Sequence, residues 1–312
     1  MDNKNKYDTS QLFNFAKDSY LERTSRPIYA IVFLLPFIVF YELGTILINT
    51  DVLNQSQVRV VAFVWLQNLL EYLGFGSKFA WAAPAFAVMV ILISQQLTSR
   101  KRWRLAFRDI WPMSVECVLL AVPLIVLSLL LNSSARRQAD VNEFVNSTVQ
   151  SRYMLSTNER AKSTVQSAPD GKTMVYCRSA VNYGLQEDTS VDNNTLQGRS
   201  LLADIVTGIG AGIYEEMVFR LILISVLMIL FQNTLGFERK SSIVISVLLS
   251  AGLFSVHHHI SIPFDWLEFS FRTVAGVYFA ALFVIRGFGI TAGTHAFYDI
   301  IATAINATFF QQ

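Results

Sequence analysis

The sequence predicts an all-α protein, a polytopic bundle of about seven membrane-spanning helices. Three observations carry this. First, 53% of the 312 residues are hydrophobic and 15% are charged, with a mean hydropathy of +0.40, whereas soluble domains carry about 25% charged residues. Second, the apolar residues are gathered into windows close to the roughly 20 residues that a helix needs to cross a bilayer core. Third, the ionisable residues that interrupt those windows are concentrated in the last third of the chain.

The windows are, in order, Pro27–Ile48, Phe79–Leu97, Val115–Leu131, Leu201–Phe231, Ile243–Val256, Trp266–Ile285 and Ile290–Phe309. Ile243–Val256 is short, but Ser241 and Ser242 before it and the histidines after it extend it. The segment Val58–Phe75 carries Arg59, Gln67, Asn68 and Glu71 and reads as an amphipathic helix lying at the interface. If it crossed as well, the spans would number eight. Residues 1–26 are polar and mixed in charge, so a short leader is expected there rather than a cleavable signal peptide.

The loop Arg100–Arg108 (RKRWRLAFR) holds five basic residues. The positive-inside rule places it on the cytoplasmic side, with Arg239, Lys240 and Arg286, and makes it an anchor for anionic lipid. Residues 132–199 form the one long polar stretch, with eight Lys/Arg and seven Asp/Glu. They read as an extramembrane insertion between the N-terminal membrane helices of 27–131 and a C-terminal helical core over 200–312. Loops this long are functional or disordered.

Several classes are excluded. Lys+Arg number 25 against 23 Asp+Glu, which leaves no basic footprint for nucleic acid. The chain is too apolar to be disordered. Cys117 and Cys177 make neither a disulfide framework nor a metal pair.

Ionisable groups inside a bilayer are costly and are therefore functional candidates. The window Leu201–Phe231 contains Glu215, Glu216 and Arg220. The next ends in His257, His258 and His259, and the last holds His295 and Asp299, so all four histidines fall within the C-terminal third. Glu216 and Arg220 are four residues apart and can pair on one helix face, while Glu215 points about 100° away. His295 and Asp299 share a face, and Phe254 can lay its ring beside His258. Gly208 and Gly212 form a small-xxx-small face that admits a close helix neighbour. Glu42 and Glu116 lie near span ends and are expected to pair or to reach the interface. A carboxylate in such a setting can act as general base on water, and histidines on neighbouring helices can hold that water and stabilise charge. Neither G-x-S-x-G nor H-E-x-x-H occurs.

Three motifs give these residues a context. Glu215-Glu216-Met217-Val218-Phe219-Arg220 fits E-E-x-x-x-R, Phe254 to His258 fits F-x-x-x-H, and His295 to Asp299 fits H-x-x-x-[N/D]. In this order, each on an apolar helix, they resemble the family of CAAX proteases and bacteriocin-processing enzymes. The resemblance implies an intramembrane endopeptidase of the glutamate type with a conical intramembrane cavity. By motif position Glu215 would activate the water, His258 would be its partner, and His295 with Asp299 would take the oxyanion-stabilising place. Glu216, Arg220 and Phe254 would support the site. Asp299 is a departure, because an ionised Asp cannot donate to an oxyanion and would instead be protonated or orient His295. The run His257-His258-His259 leaves the register open by one, with Phe254 favouring His258.

No cofactor or metal is expected, although Glu215, His258 and His295 could be imagined around zinc, which chelation would test. The expected partners are the bilayer and a membrane-associated or lipid-modified peptide, in an integral protein of a bacterial plasma membrane. A non-proteolytic scaffold or immunity protein is the alternative. A proton-coupled transporter is a weaker one, because no internal repeat is visible.

Overall fold

The computed structural model describes residues 15–16, 18–48, 72, 83–99, 103–131, 133, 193–259 and 264–309. The amphipathic segment at 58–75, apart from Tyr72, most of the leader and the insertion at 132–199, apart from 133 and 193–199, lie outside them. Contacts divide the chain into two units. In the smaller, Leu129–Asn193, the described residues include the end of a helix, where Ser133 Oγ donates to the Leu130 carbonyl at 2.9 Å. The larger unit joins Met1–Ser128 to Asn194–Gln312.

Among the described residues every regular element is helical, and all seven apolar windows coincide with helices. They are α1 (Tyr20–Thr24), α2 (Pro27–Ile48), α3 (Ala83–Ser99), α4 (Phe107–Leu131), α5 (Asn193–Glu216), α6 (Arg239–His258), α7 (Trp266–Arg286) and α8 (Phe288–Phe309). Pro27–Thr45, α4, α6 and α7 are long and apolar enough to cross a membrane, and Pro84–Ser99 is a shorter apolar helix. The chain is an integral membrane helix bundle.

Contacts fix the direction of each helix. The Ile28 amide donates to Gln96 Oε1 at 3.1 Å, so α2 starts where α3 ends. The Tyr29 hydroxyl donates to Asp109 Oδ2 at 3.1 Å, so α4 starts there too. Phe37 packs on Phe297 with ring centroids 5.5 Å apart, and Gly289 lies against Ala30, so α8 runs parallel to α2. A Cβ added at Gly208 would meet Asp299, and one at Gly212 would lie 2.5 Å from the Ala296 nitrogen. The expected close-approach face thus exists, and α5 runs antiparallel to α8. Ser255 Oγ donates to the Phe269 carbonyl at 2.8 Å, and Gly276 abuts Ala251, which makes α6 and α7 antiparallel.

Two devices shape the connections. Asp265 caps α7 by accepting from the Leu267 and Glu268 amides at 2.6 and 3.2 Å. Gly287, at φ +80, takes the left-handed conformation that lets α7 end and α8 begin at once.

The end of the bundle where α7 meets α8 is tied by ion pairs. Arg286 grips Glu116 through Nε and Nη2 at 2.6 and 2.8 Å, and also donates to the Leu21 carbonyl and Thr24 Oγ1. Tyr20 donates to Glu116 at 2.7 Å. Burial and that hydrogen bond hold the Tyr20 phenol well above its ordinary pKa. Arg23 forks onto Asp109 at 2.8 and 3.0 Å. Glu116 is thus paired, as expected, and so is Glu42, which accepts from the Tyr214 hydroxyl at 3.2 Å.

Candidate active site

The site begins with a change of helix type. α5 is regular up to Glu216. It continues as a π-helix over Met217–Ile224, returns to α over Ser225–Ile229 and widens again over Leu230–Thr234. A π-turn carries hydrogen bonds from i to i+5 and recurs at functional sites. Here Ser250 Oγ on α6 donates to the Phe219 carbonyl at 2.7 Å. That bond ties the widened turn to the helix that carries Phe254 and His258.

The two adjacent glutamates part company as the spacing predicts. Glu215 Oε1 faces His258 Nε2 at 3.4 Å. The other ring nitrogen, Nδ1, lies 2.9 Å from the Phe254 carbonyl. A carbonyl only accepts, so Nδ1 carries the proton, and in the neutral imidazole Nε2 presents a lone pair to Glu215.

Glu216 turns the other way. Its Oε1 accepts from His295 Nδ1 at 2.8 Å, and its Oε2 lies 3.1 Å from Arg220 Nε. That ion pair lies off the line of a hydrogen bond, as the atoms concerned have no aligned partner among the described residues. Arg220 is compensated in other ways. Its guanidinium carbon sits 4.3 Å from the centroid of the Phe254 ring, a cation–π contact, and Nη2 reaches the Gly276 carbonyl at 3.4 Å.

His295 is held on all sides. Nδ1 faces Glu216, Nε2 lies 3.6 Å from Asp299 Oδ2, and Phe279 stacks on the ring at 4.5 Å and 16°. Phe254 packs edge-on to His258 at 4.7 Å, as its spacing predicts. His257 is buried against Phe219, and His259 is packed between Phe264 and Phe269. Among the described residues no three His, Cys, Asp or Glu side chains converge to hold a metal ion.

Access sorts the site residues into two groups. The side chains of Glu215, His258, His295 and Asp299 keep 9%, 18%, 8% and 22% of their surface open, while Glu216 and Arg220 keep none. The first four can meet another molecule and the last two cannot. The sequence-predicted residues therefore all come together. Four features were not anticipated: the π-turn after Glu216, the Glu216–His295 hydrogen bond, the Phe279 stack and the Gly276 carbonyl.

No curated protein and no solved structure matches the chain. A family model does, over residues 197–301, which contain α5 beyond its first turn, α6, α7 and the motif-bearing part of α8. Its description is Rce1-like, type II CAAX prenyl endopeptidase Rce1-like. Over this helical domain the chain is similar to the CAAX protease family.

Proposed function

We propose that this protease hydrolyses a peptide bond in a membrane-associated or lipid-modified peptide, using a water activated by Glu215. The observation that carries the reading is the facing of two acceptors. The Glu215 carboxylate and His258 Nε2 stand 3.4 Å apart, each offering a lone pair because His258 has committed Nδ1–H to Phe254. A water beside them donates one hydrogen to each, which leaves its oxygen lone pairs turned outward toward a carbonyl carbon.

In the reaction the water oxygen bonds to the peptide carbonyl carbon and Glu215 takes its proton. The carbonyl π-electrons move onto oxygen. Collapse of that tetrahedral adduct expels the amine, which leaves with the proton that Glu215 held. His295 is the group placed to meet the oxyanion. Glu216 fixes it through Nδ1, and Asp299 beside Nε2 supports a proton on that second nitrogen. Asp299 thus acts through His295 rather than as a donor. Phe279 sets the plane of the ring, and Arg220 and Phe254 hold Glu216 and His258 in register.

The test compares wild type with Glu215→Gln in lipid discs, using membrane-associated peptides, with and without a chelator, and reading new termini by mass spectrometry. Cleavage by wild type alone, unchanged by chelator, is expected. Full activity in Glu215→Gln would remove that residue from the mechanism, and cleavage lost on chelation would replace the metal-free scheme.

A further inference from the structure

We propose that Arg272, on the site-facing side of α7, binds a carboxylate group of the peptide substrate within about three residues of the bond that is cleaved. This rests on the protease reading above and names a chemical feature of its substrate.

The first support is where Arg272 stands. Packing along α8 changes at the site itself: every residue from Phe288 to Ala296 is buried, and none from Phe297 to Thr308 is. Toward the α7–α8 turn the interior is filled. Cys117 lies against the Ile290 carbonyl at 3.5 Å, and a Cβ on Gly293 would strike Phe33 and Cys117. The site therefore opens toward the other end, where α6 finishes, α7 starts and the second half of α8 runs. Arg272 lies at that end. It is seven residues before Phe279, which stacks on His295. At about 100° per residue the two side chains leave α7 within about 20° of one another. Gly276, one turn on, abuts Ala251 of α6, and Phe271 packs on Tyr298 of α8 with ring centroids 6.4 Å apart. His257 feels the charges of Glu215, His258 and Arg272 together, and Tyr298 feels those of Asp299 and Arg272.

The second support is how the guanidinium is held. Nε and Nη2 both donate to Glu268 Oε1, the former at 3.1 Å. That pair fixes the fork by its side edge. The end edge, with both Nη1 hydrogens and one on Nη2, has no acceptor among the described residues, and the side chain keeps 26% of its surface open. A free Nη1–Nη2 edge matches the two oxygens of a carboxylate. Among the described side chains no other cation at this end is open: Arg220 is enclosed, and Arg239 and Lys240 stand at the far end of α6. Glu215 and Asp299 would repel an anion approaching unaided, so a positive group beside them is what admits a negatively charged substrate. Seven residues of α7 cover about 10 Å, which an extended peptide spans in about three residues. A carboxylate on Arg272 and a carbonyl oxygen at His295 fit one strand of that length.

The experiment uses the full chain in lipid discs and three sets of acylated peptides. The first set has a free C-terminal carboxylate, the second is the same peptides as C-terminal amides, and the third is those amides with one neutral residue replaced by glutamate. New termini are read by mass spectrometry, and kcat/KM is measured for each set. Wild type is expected to favour the first or third set over the neutral amides by about tenfold or more. The favoured carboxylate should lie within about three residues of the new terminus. Preference for the first set marks the ligand as the substrate's α-carboxylate, and preference for the third marks it as a side chain. In Arg272→Gln the acid-to-amide ratio is expected to fall to about one; a ratio taken within one variant does not depend on how much of it folds. Arg272→Lys, which lacks the fork, is expected to lower the ratio as well and serves should the glutamine variant be lost. Equal cleavage of acids and amides by wild type, or a ratio unchanged by these substitutions, overturns the proposal.

Binding separates this proposal from the protease reading. Glu215→Gln in discs, titrated with the same peptides bearing a fluorophore, is expected to hold the carboxylate forms about tenfold or more tighter than the amides. That advantage should vanish when Arg272→Gln is added, and equal Kd values for acid and amide in Glu215→Gln overturn the proposal. Selective binding with no cleavage by wild type would leave the carboxylate site standing and remove the protease reading. Cleavage by wild type without selection for a carboxylate would do the reverse, so the two failures are distinguishable.

Discussion

Gly212→Ala is expected to damage catalysis far more than its single methyl group would suggest. A Cβ at this position would lie 2.5 Å from the nitrogen and 2.8 Å from the Cα of Ala296. Carbon in ordinary contact needs about 3.5–4.0 Å, so α5 and α8 must part by about 1 Å. The obstacle is backbone, and no rotamer change relieves it. Directly beside this contact, His295 Nδ1 is 2.8 Å from Glu216 Oε1. An added ångström takes that distance beyond hydrogen-bond range and carries His295 and Asp299 on α8 away from Glu215 on α5. Misplacement of about 1 Å costs on the order of 10²-fold in rate, while overpacking costs about 1–3 kcal/mol in stability. The assay is kcat/KM for peptide cleavage in lipid discs, alongside a thermal melt. Gly252→Ala is the control, because a Cβ there meets nothing within 4 Å. Wild-type cleavage in Gly212→Ala would refute the idea that the closeness of α5 and α8 sets the geometry of His295.

The remaining predictions concern two of the buried arginines, Arg220 and Arg286. Arg220→Ala leaves Glu216 buried with its charge opposed only by His295 and should cost about 3–5 kcal/mol; an unchanged melting profile in detergent would contradict the pairing. Arg286→Ala should loosen α1, because this guanidinium joins Glu116 to the Leu21 carbonyl and Thr24, and its loss leaves only Tyr20–Glu116 and Arg23–Asp109 among the described side-chain ties that hold α1 to α4. Limited proteolysis should then cut near residues 20–26 faster than in wild type. Equal rates would show that Tyr20–Glu116 and Arg23–Asp109 suffice to hold the segment.

Much of this architecture is legible in the chain because a bilayer imposes one demand on every span. Backbone polar groups must be satisfied within the helix, so apolar run length translates directly into helices, and all seven windows follow it. Intrahelical pairs are legible for a similar reason, since Glu216–Arg220 and Phe254–His258 follow from fixed helical spacing. Gly208 and Gly212 signalled a close neighbour without naming it.

What was not legible depends on contacts between helices. Nothing in the spacing of Glu216 and His295 joins residues 79 apart. Phe279 is one of 24 phenylalanines, and only the fold singles it out by laying it on an imidazole. The π-turn after Glu216 is a choice of backbone hydrogen-bond register, and Met-Val-Phe-Arg-Leu-Ile-Leu-Ile fits an α-helix equally well. The expectations for 58–75 and for most of 132–199 fall outside the described residues.

The packed half of α8 has a meaning for the cell as well as for the fold. Activation of a water by Glu215, as proposed, would bring water and carboxylates into the helix bundle, which is halfway to building an ion channel. A chain of water running on through the bundle would let protons leak and collapse the electrical potential that the membrane exists to maintain. The run of buried residues from Phe288 to Ala296, closed at its base by Arg286 and Glu116, is thus an insulator. It lets the protein admit water to one side of its reactive centre while the membrane stays electrically tight.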